Sequence, residues 1–112
     1  MFKKVSGVFR LGAIALLAAV FSVSPEAKSM ILERGGNEAW ITDVMYSCVR
    51  GNPFFIVKNG APDAGEGYSV SESEGLKVHI SDKMRFEGGV AKIVKFPLRT
   101  GGYEVGVGNV LE

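Results

Sequence analysis

Apolar and polar residues alternate in short runs along the second half of the chain, and glycine separates the runs. The clearest run places Leu76, Val78 and Ile80 on one side and Lys77 and His79 on the other. A period of two is typical of a half-buried strand, so the first three side chains are predicted to face the core. Six strands are predicted in this way, at residues 39–46, 53–58, 68–71, 76–80, 90–96 and 103–107. In the run 90–96 apolar residues fall on both sides, so its facing stays open.

One helix of about ten residues is predicted before the first of these strands. Ser24 can cap its start, Pro25 suits the first helical position, and Glu26 complements the positive end of the helix dipole. Gly35 and the glycine after it end the helix. Its apolar stripe is Ala27, Met30 and Ile31. The pattern therefore predicts an α+β, mainly β domain: a small antiparallel β-sandwich or rolled sheet with one N-terminal helix.

Composition agrees with a single small domain. The chain has 112 residues, and its 15 glycines are about twice the usual share, which fits many turns between short strands. Of the 13 lysine and arginine residues, three lie in residues 1–22, which contain no aspartate or glutamate. Residues 23–112 therefore hold ten basic and twelve acidic side chains. A slightly acidic domain argues against nucleic acid as a partner, because nucleic acid requires a basic face.

The N-terminal segment resembles a secretory signal. Lys3, Lys4 and Arg10 precede an uncharged run at residues 11–23, which is shorter than a membrane-spanning helix requires. We therefore divide the chain into a signal-like or apolar segment, 1–22, and a domain, 23–112. If the segment is a signal, the protein is exported or in the cell envelope. If the segment is an apolar part of the domain, a cytoplasmic location is the alternative, and only an uncleaved segment would contact a membrane.

Candidate chemistry is sparse. One cysteine excludes an intramolecular disulfide framework, one histidine excludes a self-contained zinc site, and no nucleophile-elbow, metalloprotease or phosphate-loop motif occurs. Cys48 follows the first strand after the helix and lies two residues before Arg50, so it is either an exposed thiol with a lowered pKa or a small core residue. His79 is expected to be a solvated strand residue.

The order of these pieces resembles a known family. Residues 24–28, the two glycines that end the helix, and a strand ending at a cysteine resemble the opening of HesB-like domains, which belong to the A-type iron–sulfur carrier superfamily. The closest likeness is to the CC/Se motif branch, which has a Cys-Cys or Cys-selenocysteine pair after that strand. The runs at 59–62, 68–70, 75–80 and 103–107 follow the order of that branch, so the resemblance covers about residues 22–108.

The resemblance implies a site at Cys48, with two departures. The branch has a vicinal pair where this chain has Ser47 and Cys48, so only Cys48 carries over as the cofactor-binding or metal-binding residue. The classical carriers also have a C-terminal Cys-x-Cys, and residues 105–109 contain no thiol here. An iron–sulfur cluster usually needs four thiolates, so two copies would still require glutathione or a similar thiol.

We therefore expect a non-enzymatic HesB-like protein that binds iron, an iron–sulfur cluster or another soft metal through Cys48 at a subunit interface. In this expectation the partner is a second copy of the same chain, so that the protein is a homodimer. The first alternative is an exported or structural binding module whose cysteine site has degenerated. The second is a thiol redox protein in which Cys48 acts with an external thiol partner.

Overall fold

Seven strands form one sheet that curls until its two edge strands approach each other. The computed structural model describes residues 20–47, 53–63 and 66–111. One α-helix is present there, α1 (Pro25–Glu33), with a single 3-10 turn at Glu87–Gly89. The strands are β1 (Val20–Val23), β2 (Glu38–Ser47), β3 (Pro53–Asn59), β4 (Tyr68–Ser73), β5 (Leu76–Ser81), β6 (Arg85–Phe86), β7 (Val90–Pro97), β8 (Tyr103–Val107) and β9 (Val110–Leu111).

Helix α1 begins and ends where the sequence predicts. The Ser24 hydroxyl accepts a hydrogen bond from the Ala27 amide at 3.2 Å, which satisfies one of the amides that a helix start leaves unpaired. Gly35 follows the helix with a φ of +112°, a conformation that glycine adopts without a steric penalty. Ala27 and Ile31 are fully buried against the sheet. The Asn59 side-chain amide donates to the Ile31 carbonyl at 2.9 Å and so ties the helix to the end of β3.

The sheet order is β1-β7-β8-β3-β2-β5-β4, with β6 and β9 as a separate short pair. All six predicted strands are present, and the fold is mainly β as expected. The sheet is mixed, because β1 pairs with β7 and β2 pairs with β5 in parallel. The sequence pattern gave no sign of these pairings, since periodicity identifies strands but not neighbours distant in the chain.

Strand β1 crosses the predicted boundary between the segment 1–22 and the domain. Phe21 and Val23 are buried in the main core, and both lie on a strand that pairs with β7. Residues 20–22 are therefore part of the sheet. Residues 1–19, which carry the signal-like cations, lie outside the described residues.

The main core fills the inside of the curled sheet. Leu76, Val78 and Ile80 are at most 2% exposed, which confirms the predicted facing of β5. Each such side chain contributes about 1.5–3 kcal/mol through burial. On β7 the open question of facing is resolved, because Ala91 and Ile93 are fully buried in this core.

A second, smaller hydrophobic cluster is separate from the main core. Phe54 and Ile56 of β3 are buried in it, with Phe96 and Leu98 packed against them. The rings of Phe54 and Phe96 stack with centroids 4.3 Å apart and an angle of 4° between their planes. This cluster fixes the first half of β3, the half that follows the predicted site, against the end of β7.

The Phe54 ring fits only because β8 has a glycine beneath it. A Cβ atom on Gly106 would lie 2.3 Å from the Phe54 ring and 2.8 Å from the Phe55 carbonyl oxygen. Neither neighbour is a flexible chain end, since one is a buried ring and the other is backbone. Gly106 therefore permits the close approach of β3 and β8 that the second cluster requires.

Replacing Gly106 with alanine should destabilise the protein by about 1–3 kcal/mol, because the added methyl overpacks the Phe54 ring and the β3 backbone. Urea unfolding followed by circular dichroism measures the change. Gly36→Ala is the matched control, since a Cβ there meets nothing within 4 Å. Equal stability of the two variants would contradict the packing described here.

Candidate functional site

The predicted site residue, Cys48, lies outside the described residues, and so does Arg50. The structure describes the strands on either side of them, which are β2 before Cys48 and β3 after Arg50. Ser47, the last residue of β2, pairs with Pro53, the first residue of β3. Residues 48–52 therefore connect the two strands of one hairpin. The resemblance places the thiol after β2, which is within this connection.

Strand β2 carries a bulge before it reaches this position. Three of its residues, 42–44, lie between the pairs Ile41–Val57 and Met45–Phe55, where β3 has only Ile56. A bulge re-aims the strand that contains it and increases its local twist. The bulge therefore sets the direction of the hairpin end that continues to residue 48.

The Thr42 hydroxyl satisfies the backbone groups that the bulge separates. It donates to the Ile56 carbonyl at 2.9 Å and accepts from the Val44 amide at 3.1 Å. Thr42 is 1% exposed, and it is the one buried polar side chain in the described part of the chain. Buried polar groups are expensive unless they are paired, and this hydroxyl is paired as donor and as acceptor.

From the last residue of the bulge onward, three consecutive apolar side chains are exposed. Val44, Met45 and Tyr46 are 41%, 48% and 48% accessible to solvent. A strand that lies over a core exposes only alternate residues, so this part of β2 extends beyond the main core. Tyr46 is still held on one side, by an edge-to-face contact with Phe54.

A groove of about 510 Å³ lies between this hairpin and the turn that follows β7. Met45 and Tyr46 line one side, and residues 98–100 line the other. The groove is more apolar than polar, and it is adjacent to the strand end that precedes Cys48. The described surroundings of the site are therefore an apolar surface beside the hairpin end.

The described residues contain no group of side chains that could bind a metal ion by itself. Across residues 20–47, 53–63 and 66–111, no three histidine, cysteine or acidic side chains lie together in an arrangement that could hold a metal ion. In the same part of the chain, no helix has the length and hydrophobicity needed to cross a membrane.

His79 occupies a different surface, outside the predicted site. It faces away from the main core, as expected, but it is not solvated: its side chain is only 13% exposed. His79 Nε2–H donates to a carboxylate oxygen of Glu38 at 2.6 Å. The hydrogen bond from His79 is the largest effect and lowers the pKa of Glu38 below its usual value of 4.5. Burial opposes this with the next largest effect, and electrostatic interactions with His79 and Lys77 lower the pKa by smaller amounts.

The pairing of Glu38 with His79 could not be inferred from spacing, because the two residues are 41 positions apart. It depends on the parallel pairing of β2 with β5, in which Trp40 is the register partner of His79. No sequence motif marks this contact, because a glutamate and a histidine are each ordinary polar residues on a strand. This pair joins β2 to β5.

Comparison with protein families adds one finding. A family model described as the CC/Se motif containing family matches residues 20–96, which is more than half of the chain. The chain belongs to the CC/Se motif containing family. The family match begins at the first residue of β1 and includes the whole β2–β3 hairpin, so the part of this family member that carries Ser47 and Cys48 lies within it. Comparisons with curated proteins and with solved structures give no match.

The Glu38 carboxylate should make stability depend on pH. Its pKa is lower in the folded chain than in the unfolded chain, so its contribution is present above about pH 4.5 and is lost as pH falls through the lower folded value. We expect native stability to fall below pH 4.5 more steeply than that of Glu38→Gln. Urea unfolding from pH 6 to pH 3 should show the two stabilities converging in acid.

The control for this prediction is Glu72→Gln, a carboxylate on β4 whose register partner is Lys77. This variant removes a carboxylate but keeps the hydrogen bond between Glu38 and His79, so its stability should still fall below pH 4.5. A difference between native protein and Glu38→Gln that stays constant with pH would contradict the assigned hydrogen bond.

Proposed function

We propose that the protein is a non-enzymatic soft-metal-binding protein in which the Cys48 thiolates of two copies hold one cation at their interface. Membership of a family described by a CC/Se motif supports a thiol as the functional group. The chain has one cysteine, so Cys48 is the one thiol available. A thiolate is a soft ligand and favours soft cations such as Cu(I) over Mg²⁺ or Ca²⁺.

The observation that carries the proposal is the exposed apolar surface beside the hairpin end. Val44, Met45 and Tyr46 precede Cys48 with only a serine between, and each is 41–48% exposed. Contacts between apolar surfaces drive the association of subunits, and aromatic and methionine side chains are enriched at interfaces. Two copies that meet through this surface would bring two Cys48 thiolates to one interface.

The donor set limits which metal group fits. One chain offers one thiolate, and no other ligand cluster occurs in the described residues. A cation shared between two thiolates fits a pair of copies. An iron–sulfur cluster requires four ligands and fits only if small thiols such as glutathione supply the remainder. The wider HesB-like relationship, which implies an iron or iron–sulfur cargo, is part of this proposal and follows from the resemblance.

The metal test is an anaerobic titration of the native chain with Cu(I), with competition by a chelator of known affinity. We expect about half an equivalent of metal per chain, because two copies share one ion, and a metal-dependent increase in dimer by sedimentation. Cys48→Ser should abolish both. Ser47→Ala is the matched control and should leave both unchanged, since only the thiol carries over from the family motif.

Two outcomes would contradict the proposal. Retention of metal by Cys48→Ser would place the ligands elsewhere. Labelling of Cys48 by a small thiol reagent only after denaturation would make it a core residue and remove the site altogether.

A parallel incubation with iron, sulfide and glutathione tests the cluster, which would appear as visible absorbance that depends on all three components.

A binding module with a degenerate cysteine site is the second candidate. The exposed apolar side chains favour it too, because they would form an interface without any metal. Concentration-dependent dimerisation of Cys48→Ser, equal to that of the native chain in the presence of a chelator, would favour this candidate. Rapid formation of a mixed disulfide with glutathione, without metal retention, would instead favour a thiol redox protein.

A further inference from the structure

We infer that Thr42 is the positioning residue of the hairpin end, because its hydroxyl holds the bulge that sets the register between β2 and β3. The inference deepens the proposed function and rests on it for one consequence, the placement of Cys48. The bulge itself is described by the backbone pairing of β2 and β3, whatever Cys48 binds.

One hydroxyl serves two strands at this point. Thr42 Oγ1 donates across to Ile56, which is 14 positions away, and accepts from Val44, which is two positions away. In a regular ladder a β2 amide would bond the Ile56 carbonyl, and a β3 carbonyl would bond the Val44 amide. The hydroxyl takes the place of both missing partners. Without it, two backbone groups lose these bonds in a region where Thr42 and Ile56 are at most 5% exposed.

The register depends on whether the bulge is kept. With the bulge, Ser47 pairs with Pro53, and residues 48–52 connect the strands. If the pairing of Ile41 with Val57 continued without a bulge, Ser47 would lie opposite Gly51 and residues 48–50 would form the connection. This change moves the end of β2 by two positions along β3, or about 7 Å.

The bulge contains two extra residues, and this number matters for the faces of the strand. Side chains alternate with a period of two, so a shift of two positions leaves every side chain on its own face. Loss of the bulge would therefore keep the hydrophobic facing of β2 and change only how far the hairpin reaches. The facing of the side chains therefore does not by itself select the bulged register, and the hydrogen bonds of Thr42 are present only in that register.

The test compares Thr42→Val, which keeps the shape and removes the hydroxyl, with Thr42→Ser, which keeps the hydroxyl. Three quantities are measured on the full chain by NMR and by thiol alkylation. They are the exchange rate of the Val44 amide, the cross-strand contacts between Met45 and Phe55, and the rate of Cys48 alkylation at pH 7. Thr42→Val should raise Val44 exchange about tenfold, weaken the Met45–Phe55 contacts, and change the alkylation rate at least about threefold. Thr42→Ser should stay within about twofold of the native values.

Several results would overturn the inference. Native-like Val44 exchange in Thr42→Val would show that the hydroxyl does not hold the bulge. A changed Val44 amide with an unchanged alkylation rate would leave Thr42 a structural residue without a positioning role. If Thr42→Val fails to fold, the native chain still decides, since a Val44 amide that exchanges at the unprotected rate contradicts the hydrogen bond.

Failure of the metal proposal gives a different result. Alkylation requires a reactive thiol and no metal, and the Val44 exchange requires neither. A chain that binds no soft metal but shows the expected contrast between valine and serine would retain the positioning role of Thr42 and lose the proposed cargo.

Discussion

Strand β2 has two neighbours along its first half and one along its second half, and the rest of the molecule is arranged around this difference. At Ala39 and Trp40 it pairs with β3 on one side and with β5 on the other. After the bulge its described pairing is with β3 alone. The first half therefore lies inside the curled sheet, and the second half is an edge strand whose one described partner is β3. An edge strand is held from one side, so this part of β2 depends on how firmly β3 is fixed.

The second hydrophobic cluster supplies that support. Phe54 stacks on Phe96 and packs over Gly106, so β3 is fixed to β7 and β8 where β2 has lost its second neighbour. Tyr46 gains one edge contact from this arrangement, while Val44 and Met45 remain exposed. The result is a hairpin whose base is held firmly and whose far strand presents apolar side chains to solvent. Such a surface is costly for a monomer to maintain unless something binds it.

Local signals in the sequence predict the elements well. The helix start follows from Ser24 and Pro25, whose effects act within one turn, and the facing of β5 follows from strict alternation at Leu76, Val78 and Ile80. Pairings between distant strands have no local signal. The parallel pairing of β2 with β5, and with it the contact between Glu38 and His79, therefore could not be predicted.

The bulge at Thr42 shows the same limit at the candidate site. Threonine is an ordinary strand residue, and nothing in the local pattern distinguishes a hydroxyl that faces solvent from one that replaces two ladder bonds. The likeness to the family led to the prediction that Cys48 carries the chemistry. It gave no sign of the positioning role proposed for Thr42, because that role depends on a hydrogen bond between positions 42 and 56.

The resemblance places Ser47 and Cys48 where the family motif has a vicinal pair, and this changes how many molecules the proposed thiol chemistry needs. Two neighbouring thiols on one chain can chelate a metal or form a bond with each other at any protein concentration. One thiol can do neither, so every reaction that needs two sulfur atoms becomes intermolecular and depends on how often a second thiol is nearby. Surfaces that bring two molecules together raise the effective concentration of the second group, often to the millimolar range. Under the proposed function, the exposed side chains Val44, Met45 and Tyr46 contribute to the chemistry of Cys48, because they favour the contact that brings a second thiol.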